Sequence, residues 1–116
     1  AIEGGEVEFC NVHFANNDIA YKHLQELLLL IKTRGTRPII VGDFNIYKLA
    51  EYKKKSRLLQ TYQLSSEVME YTSYPDDKDT LDYVAVNTSK YAIAGVMCHD
   101  TYVSDHRALS VDIQCE

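Results

Sequence analysis

The chain has no tryptophan, only two prolines and only three cysteines among its 116 residues. The cysteines at positions 10, 98 and 115 are odd in number and widely spaced, which argues against a disulfide framework and against a zinc site. Cys10 and Cys98 lie in apolar runs, so we expect both to be small buried hydrophobic residues. This cysteine usage leans toward a reducing, cytoplasmic compartment.

The chain also lacks a long apolar run and an excess of positive charge. Its longest apolar run, 27–31, is too short to cross a bilayer, so we expect no membrane span. With a net charge of -5, the chain lacks the basic surface that is typical of a DNA-binding module. The one basic stretch, 53–57, is either a solvated helix face or a patch that steers a phosphate. Acting on an anionic ester would require a counter-charge, which a divalent cation supplies.

What the chain does contain fits one globular domain, with 46% hydrophobic residues in alternating helix and strand patterns. An apolar stripe at i, i+3, i+4 and i+7 predicts a helix over 19–34, capped by 17–18 and ended by Gly35. Two weaker helical patterns cover 47–60 and 64–71. Strands are predicted over 7–14, 38–41, 82–86, 92–98 and 107–113, with a possible short strand over 72–74.

The order of these elements indicates the fold class. A strand, a helix, a strand, a helix and then mostly strands predict an α/β (α+β) domain with a mixed sheet and helices on one face. In the first strand the apolar positions change phase between Phe9 and Cys10. That change indicates either a strand covered on both faces or a strand with a bulge.

Four polar clusters lie where these apolar strands meet loops. At such positions the strand holds the backbone rigidly and the loop leaves the side chain accessible, which is where catalytic groups are usually found. Together the four clusters point to metal-assisted chemistry on a phosphate ester. They are Asn11-Val12-His13, Gly42-Asp43-Phe44-Asn45, Leu81-Asp82-Tyr83 and Ser104-Asp105-His106.

Asp43 and Asn45 form the first candidate pair. Residues two apart in an extended segment point to the same side, so a carboxylate and a carboxamide can share one reacting phosphate. The carboxylate can orient or deprotonate a water, and the amide can donate to a developing oxyanion. The alternative is an ordinary turn, because glycine, aspartate and asparagine all favour turns.

The remaining candidates are two histidines and two aspartates. The Asp105 carboxylate suits a hard cation such as Mg²⁺, and His106 can donate to a phosphate oxygen or move a proton. Asp82 could hold an imidazole through its other nitrogen, and His13 could supply a second imidazole to the phosphate. The alternatives are a capped loop with a satisfied histidine, a solvated carboxylate and a structural histidine.

In this order the four clusters resemble the endonuclease/exonuclease/phosphatase superfamily, the metal-dependent phosphoesterases that include deoxyribonuclease I-like enzymes. The resemblance implies that Asp43 activates the attacking water, that Asn45 stabilises the transition state and that His106 contacts the scissile phosphate. It further implies that Asp82 holds the His106 imidazole and that His13 is the second phosphate-contacting histidine. Asp105, with Asp43, would bind Mg²⁺, and Mn²⁺ could replace it. The matching pieces are 11–13, 38–45, 81–84 and 104–107.

Length is the main departure from the family pattern. Members of the superfamily are about twice as long, and their four-layer αββα sandwich has a mixed, mainly antiparallel sheet in each half. Residues 1–116 resemble the C-terminal half, and neither Glu3, Glu6 nor Glu8 matches the principal metal-binding glutamate of the first half. We therefore expect a fragment that is weakly active or inactive alone and that self-associates through an uncovered apolar sheet face.

Three functions remain open at this point. The first is hydrolysis of a phosphodiester, as in a nuclease, or of a phosphomonoester. The second is a non-catalytic binding module that retains the fold, and the third is a structural α/β domain with turn-forming aspartates and asparagines. The substrate, either nucleic acid or a small phosphorylated molecule, is left open because these enzymes share the same residues and differ in their loops.

Overall fold

The computed structural model describes residues 7–15, 18–46, 48–69, 71, 80–102 and 107–115, with the backbone alone at 100–102, 107 and 108. Six strands and three α-helices occur within these ranges, together with a 3-10 turn at Leu59–Thr61. In chain order the elements are β1 Phe9–His13, α1 Asp18–Arg34, β2 Ile39–Asp43, α2 Leu49–Lys53, β3 Tyr62–Leu64, α3 Ser65–Val68, β4 Asp82–Asn87, β5 Tyr91–Tyr102 and β6 Arg107–Cys115.

The strands form a four-stranded sheet in the order β1-β2-β4-β3 and a two-stranded sheet of β5 and β6. The β1–β2 pair is parallel, whereas the β2–β4, β3–β4 and β5–β6 pairs are antiparallel. The α1 helix lies in the connection between the two parallel strands, as a parallel crossover requires. The predicted α/β class with a mixed, mainly antiparallel sheet is confirmed.

The α1 helix covers one face of the four-stranded sheet. Its buried residues Ala20, Leu24, Leu28 and Ile31 recur at helical spacing, as the predicted stripe requires. Gly35 follows the helix with a φ of 69°, a left-handed conformation that glycine adopts without steric cost. The helix predicted over 19–34 is therefore confirmed, and it begins one residue earlier.

Two apolar clusters lie on opposite faces of the four-stranded sheet. On the first face Ile40, Phe44 and Ala85 belong to one buried cluster with the α1 stripe. On the second face Ile39, Val84 and Val86 cluster with Tyr91 and Ile93 of β5 and with apolar residues of β6. The sheet is thus sandwiched between a helical layer and a second sheet, as in an α/β sandwich.

Strand β1 shows how alternation sorts its residues between these two faces. Its pairing with β2 runs without interruption from Phe9 to His13, so the bulge considered above is absent from this pair. Cys10 and Val12 join the cluster on the helix side. Phe9 therefore points to the opposite face, where 66% of its surface is exposed.

The chain between β2 and β4 departs most from the prediction. The helix expected over 47–60 is wrong, because α2 occupies only 49–53 and is followed by turns and the 3-10 turn. The helix expected over 64–71 shortens to the four residues of α3, and β3 was not anticipated. Helix α2 begins after Lys48, whose left-handed φ of 54° is incompatible with a continuous helix. The strand expected over 72–74 lies outside the described residues.

None of the three cysteines, all of which the structure describes, is part of a disulfide. Cys10 and Cys98 are half-buried and Cys115 is exposed, so the expectation of fully buried thiols at the first two positions is wrong. Partial burial raises the pKa of the Cys10 thiol by desolvating its charged form. Within the described ranges, no helix is long and apolar enough to cross a membrane.

Candidate active site

Three of the sequence-predicted site residues form a row across one end of the four-stranded sheet. His13 pairs with Asp43 in the parallel β1–β2 register, and Asp43 pairs with Asp82 in the antiparallel β2–β4 register. Directly opposed residues of neighbouring strands project from the same face. His13, Asp43 and Asp82 therefore lie side by side, on the face that carries the β5–β6 sheet.

The two members of the row on β1 and β2 differ sharply in exposure. The His13 side chain is 80% exposed, whereas the Asp43 side chain is 18% exposed. The imidazole Nε2 of His13 lies 3.8 Å from Oδ2 of Asp43. A solvent-exposed imidazole thus lies beside a largely buried carboxylate.

A short turn after β2 fixes the Asp43 carboxylate. Its Oδ1 accepts the backbone N–H of Asn45 at 2.9 Å. Asn45 has a left-handed φ of 50°, which asparagine tolerates better than most residues, and its Nδ2 donates to the Phe14 carbonyl at 2.6 Å. One amide N–H of Asn45 therefore ties the turn to the end of β1, and an amide nitrogen carries a second N–H.

Gly42 makes the close approach of β1 and β2 at this point possible. It pairs with Val12 and adopts a φ of 136°, which side chains rarely allow. A Cβ atom added at Gly42 would lie 2.0 Å from the Val12 carbonyl oxygen. Glycine is therefore the residue that lets Asp43 sit directly opposite His13.

Tyr83 supports the same turn from the helix side of the sheet. Its hydroxyl oxygen lies 2.9 Å from the Ile46 carbonyl and 2.8 Å from the Thr80 carbonyl, and it accepts the Leu49 N–H at 3.4 Å. Its ring meets that of Phe44 edge to face at 5.4 Å. Burial raises the pKa of Tyr83 well above its ordinary value, so the hydroxyl stays protonated and able to donate.

A second buried network fixes the start of β4, where Asp82 lies. The Tyr71 hydroxyl donates to the Asp82 carbonyl at 2.7 Å and lies 2.7 Å from the Ser65 hydroxyl. The same Ser65 oxygen accepts the Val84 N–H at 2.9 Å. Desolvation is the main cause that raises the pKa of Tyr71, which keeps this bridge protonated.

Two residues of the predicted site cannot be placed. Asp105 and His106 lie outside the described residues. Among the residues that are described, no group of three or more histidines, cysteines, aspartates or glutamates is close enough to hold a metal ion. Of the two residues predicted to bind Mg²⁺, Asp43 is described, and its carboxylate is the kind of oxygen donor that this cation prefers.

No protein-family model matches the sequence, and no curated protein matches it. Among solved structures, the chain is similar to the human nocturnin catalytic domain with bound sulfate anion, with a TM-score of 0.64 and 18% identity over 91% of this chain and 46% of that one. It is also similar to a functionally unknown conserved protein from Enterococcus faecalis, with a TM-score of 0.64 and 16% identity over 93% of this chain and 50% of that one.

The likeness is one of fold. At 18% and 16% identity, the comparison with these two structures concerns the fold alone. The chain spans about half the length of the two structures, at 46% and 50%.

The residues that support the row were not identified from the sequence. Gly42 carried a signal, since a glycine just before the polar end of a wholly apolar strand marks a close backbone approach. Tyr83 also carried one, because strand alternation places it on the face opposite Asp82. Ser65 and Tyr71 carried no such signal, because their hydrogen bonds to Val84 and Asp82 of β4 form only in the folded chain.

Proposed function

We propose that this chain contributes to a Mg²⁺-dependent phosphoesterase that hydrolyses a phosphodiester or a phosphomonoester by attack of an activated water. The observation that carries the proposal is the row of His13, Asp43 and Asp82 at one end of the sheet, with Asn45 fixed beside it. The likeness in fold to the nocturnin catalytic domain supports the same reaction class.

In the proposed reaction the carboxylate of Asp43 orients the attacking water and accepts its proton. The turn holds this carboxylate through Oδ1, which leaves Oδ2, on the His13 side, facing the row. Preorganisation of this kind reduces the rearrangement needed in the transition state. The second amide N–H of Asn45 donates to the developing charge on the phosphate oxygens.

The histidines are proposed to contact the phosphate from two directions. His13 is exposed at the edge of the row and can donate to a phosphate oxygen without moving a buried group. His106 is proposed to make the second contact, with Asp82 orienting its imidazole. Mg²⁺, or Mn²⁺ in its place, would stabilise charge on the phosphorus and the leaving oxygen when bound by Asp43 and Asp105.

We further propose that residues 1–116 form the C-terminal half of a domain whose other half completes the metal site. The half-length match to both solved structures supports this division. Phe9 and Met97 are respectively 66% and 60% exposed, and they offer apolar surface that another half or a second copy would cover. Sedimentation of the 116-residue chain tests the second case, in which a concentration-dependent dimer is expected and a clean monomer counts against it.

The test of function is a substrate panel of single-stranded and double-stranded nucleic acid, phosphorylated sugars and phospholipids, assayed with Mg²⁺ and with EDTA. The 116-residue chain and the longest protein that its gene encodes are assayed side by side. We expect activity in the longer protein, lost with EDTA, and little activity in the shorter one. Robust Mg²⁺-dependent hydrolysis by the 116-residue chain alone would refute the proposed division.

Asp43→Asn is the decisive variant, because asparagine keeps the oxygen that accepts the Asn45 N–H and removes only the charge. We expect at least a hundredfold loss of kcat. Asp112→Asn is the matched control, since Asp112 is an exposed aspartate of β6 outside the row. Equal activities in the two variants would refute the role of Asp43. Tight binding of a substrate without turnover would favour a non-catalytic binding module instead.

A further inference from the structure

A cavity of about 470 Å³ opens at the end of the sheet opposite the row. It lies among the end of α1, the segment before β2, the 57–62 segment and the turn after β4. Strand β2 runs from this end to Asp43, and β4 runs back from Asp82. At roughly 3.3 Å per residue, Ile39 and Asp43 are about 13 Å apart, so the cavity is distinct from the candidate active site.

The charges that line this cavity are all positive. Lys32, Arg37 and Arg57 line it, and no carboxylate of a described residue does. They come from three separate parts of the chain, so their convergence is a property of the fold. Within the described ranges, the ion pairs join His13 to Asp43 and Lys53 to Glu67, and none involves these three cations. In a chain of net charge -5, such a cluster attracts an anion.

Neutralisation of the α1 helix end does not account for the whole cluster. The negative end of a helix corresponds to about half a charge, and the last turn of α1 already carries Lys32 and Arg34. Arg37 and Arg57 lie beyond the helix. The positive charge at the cavity therefore exceeds what the helix end requires.

Hydrogen bonds give the cavity a fixed polar rim. The Thr88 backbone N–H donates to the Thr61 carbonyl at 2.9 Å, which joins the turn after β4 to the 57–62 segment. The Asn87 Oδ1 accepts both the N–H and the hydroxyl of Ser89, at 3.0 Å and 2.6 Å. The rim is thus organised before any ligand binds, which lowers the entropy that binding loses.

The floor of the cavity is apolar. Leu28, Ile31 and Tyr62 line it, and each is at least nine-tenths buried. Pockets for small organic ligands are typically 300–1,000 Å³ in volume and mainly apolar, with a few polar groups that fix orientation. The size, the apolar floor and the cationic mouth together select a ligand with an anionic head and an apolar or planar body.

We propose that this cavity is a second binding site, and that it takes a phosphate monoester carried on an apolar or planar body. The phosphate contacts Arg37, Arg57 and Lys32 at the mouth, where an arginine can donate two parallel N–H groups to it. The body packs on the floor formed by Leu28, Ile31 and Tyr62. This site does not depend on hydrolysis at the row, because the two lie at opposite ends of the same strands.

The test uses adenosine 5′-monophosphate as the probe, with adenosine and inorganic phosphate as comparison ligands, titrated into the chain and followed by calorimetry and by NMR of the backbone amides. We expect the monophosphate to bind at least tenfold more tightly than adenosine, with shift changes at 36–37 and 87–89. Binding that weakens as salt rises is expected for a contact made through charge. Shift changes confined to the row end, or equal binding of adenosine, would overturn the proposal.

Two arginine variants locate the contact. Arg37→Gln combined with Arg57→Gln should weaken binding of the monophosphate about tenfold, the range for loss of a charge-assisted hydrogen bond. Arg34→Gln is the matched control, an exposed arginine at the end of α1 that does not line the cavity. Circular dichroism and the thermal midpoint check that each variant folds. An equal loss in Arg34→Gln would overturn the site, as would unchanged binding in the double variant.

Two further binding experiments distinguish this site from the row and identify the source of the phosphate. Asp43→Asn should bind the monophosphate as the unaltered chain does, whatever its effect on hydrolysis, and a loss of binding there would overturn the proposal. A short single-stranded oligonucleotide that carries a 5′-phosphate is compared with the monophosphate. Both results support the cavity, since tighter binding of the oligonucleotide indicates a strand end and equal binding indicates a free small molecule.

Discussion

His13 and Asp43 face each other across the parallel β1–β2 pair, with Nε2 of the imidazole 3.8 Å from Oδ2 of the carboxylate. The contact joins an 80% exposed side chain to an 18% exposed one. Exposed pairs of this kind contribute little to stability, because solvent screens the charges and the side chains lose freedom. The contact is therefore expected to contribute little to the free energy of unfolding.

His13→Gln should change the free energy of unfolding by less than about 0.5 kcal/mol, because the side chain is exposed and its ion pair is weak. Asp43→Ala should lower it by about 1 kcal/mol, because the backbone N–H of Asn45 loses its acceptor. Urea unfolding followed by circular dichroism measures both. A loss above about 2 kcal/mol in His13→Gln would show that the histidine is structural.

Gly42→Ala should lower the free energy of unfolding by more than about 2 kcal/mol, because the new Cβ would lie 2.0 Å from the Val12 carbonyl oxygen. Gly35→Ala is the matched control. Gly35 also has a positive φ, but no atom lies within 4 Å of its added Cβ. Gly35→Ala should therefore lower the free energy of unfolding by only about 1 kcal/mol, which is roughly the conformational cost alone. Similar losses in the two variants would contradict the close approach of β1 and β2.

Tyr83→Phe should destabilise the chain by about 1–3 kcal/mol, because the carbonyls of Ile46 and Thr80 and the N–H of Leu49 lose a buried partner. Tyr91→Phe is the control, since the Tyr91 hydroxyl is buried and has no hydrogen-bond partner in the described part of the chain. That change should be neutral or stabilising. The expectation fails if thermal unfolding shows equal losses for the two tyrosines.

Ser65→Ala should cost about 1–3 kcal/mol, because the Val84 N–H and the Tyr71 hydroxyl both bond to the Ser65 oxygen. Its neighbour gives the control, since the buried Ser66 oxygen has no hydrogen-bond partner among the described residues. Ser66→Ala should change stability by less than about 0.5 kcal/mol. A double-mutant cycle of Ser65→Ala with Tyr71→Phe should show coupling, and strict additivity would contradict the network.

Stability should fall at alkaline pH. Burial raises the folded-state pKa of Tyr71 and Tyr83 above the ordinary tyrosine value of about 10, so above that pH only the unfolded chain releases these protons. The free energy of unfolding is unaffected by these groups below pH ~10 and then falls by up to about 1.4 kcal/mol per pH unit for each tyrosine. Urea midpoints between pH 8 and 11 measure this, and the slope should be shallower in Tyr83→Phe.

The long elements of the fold could be predicted because each carries its own pattern. The stripe from Leu24 to Ile31 specifies α1, and wholly apolar or alternating runs specify β2, β4 and β6. Strand β3 could not be predicted because three residues are too few for a pattern, and its pairing with β4 defines it. The helix expected over 47–60 was wrong mainly beyond Lys53, where Ser56 is buried and bonds to Gln25 of α1, so tertiary contacts override local propensity.

The row could be anticipated in part. Its members lie at the ends of predicted strands, and the parallel β1–β2 register brings His13 opposite Asp43. The support beneath it could not be anticipated, because it depends on contacts across the chain: Tyr71 bonds to Asp82, Ser65 to Val84 and Tyr83 to Ile46. The roles of all the candidate residues remain predictions, and Asp105 and His106 also lie outside the described residues.

Strict alternation along β2 gives Asp43 to the row and Phe44, the next residue, to the buried cluster beneath α1. Deletion of any one residue from 39–42 would exchange these two positions and place a carboxylate in the core. The same holds for Asp82 and Tyr83 on β4. The row therefore cannot be grafted onto another sheet as a loop, because each of these two carboxylates is transplanted only together with its buried neighbour.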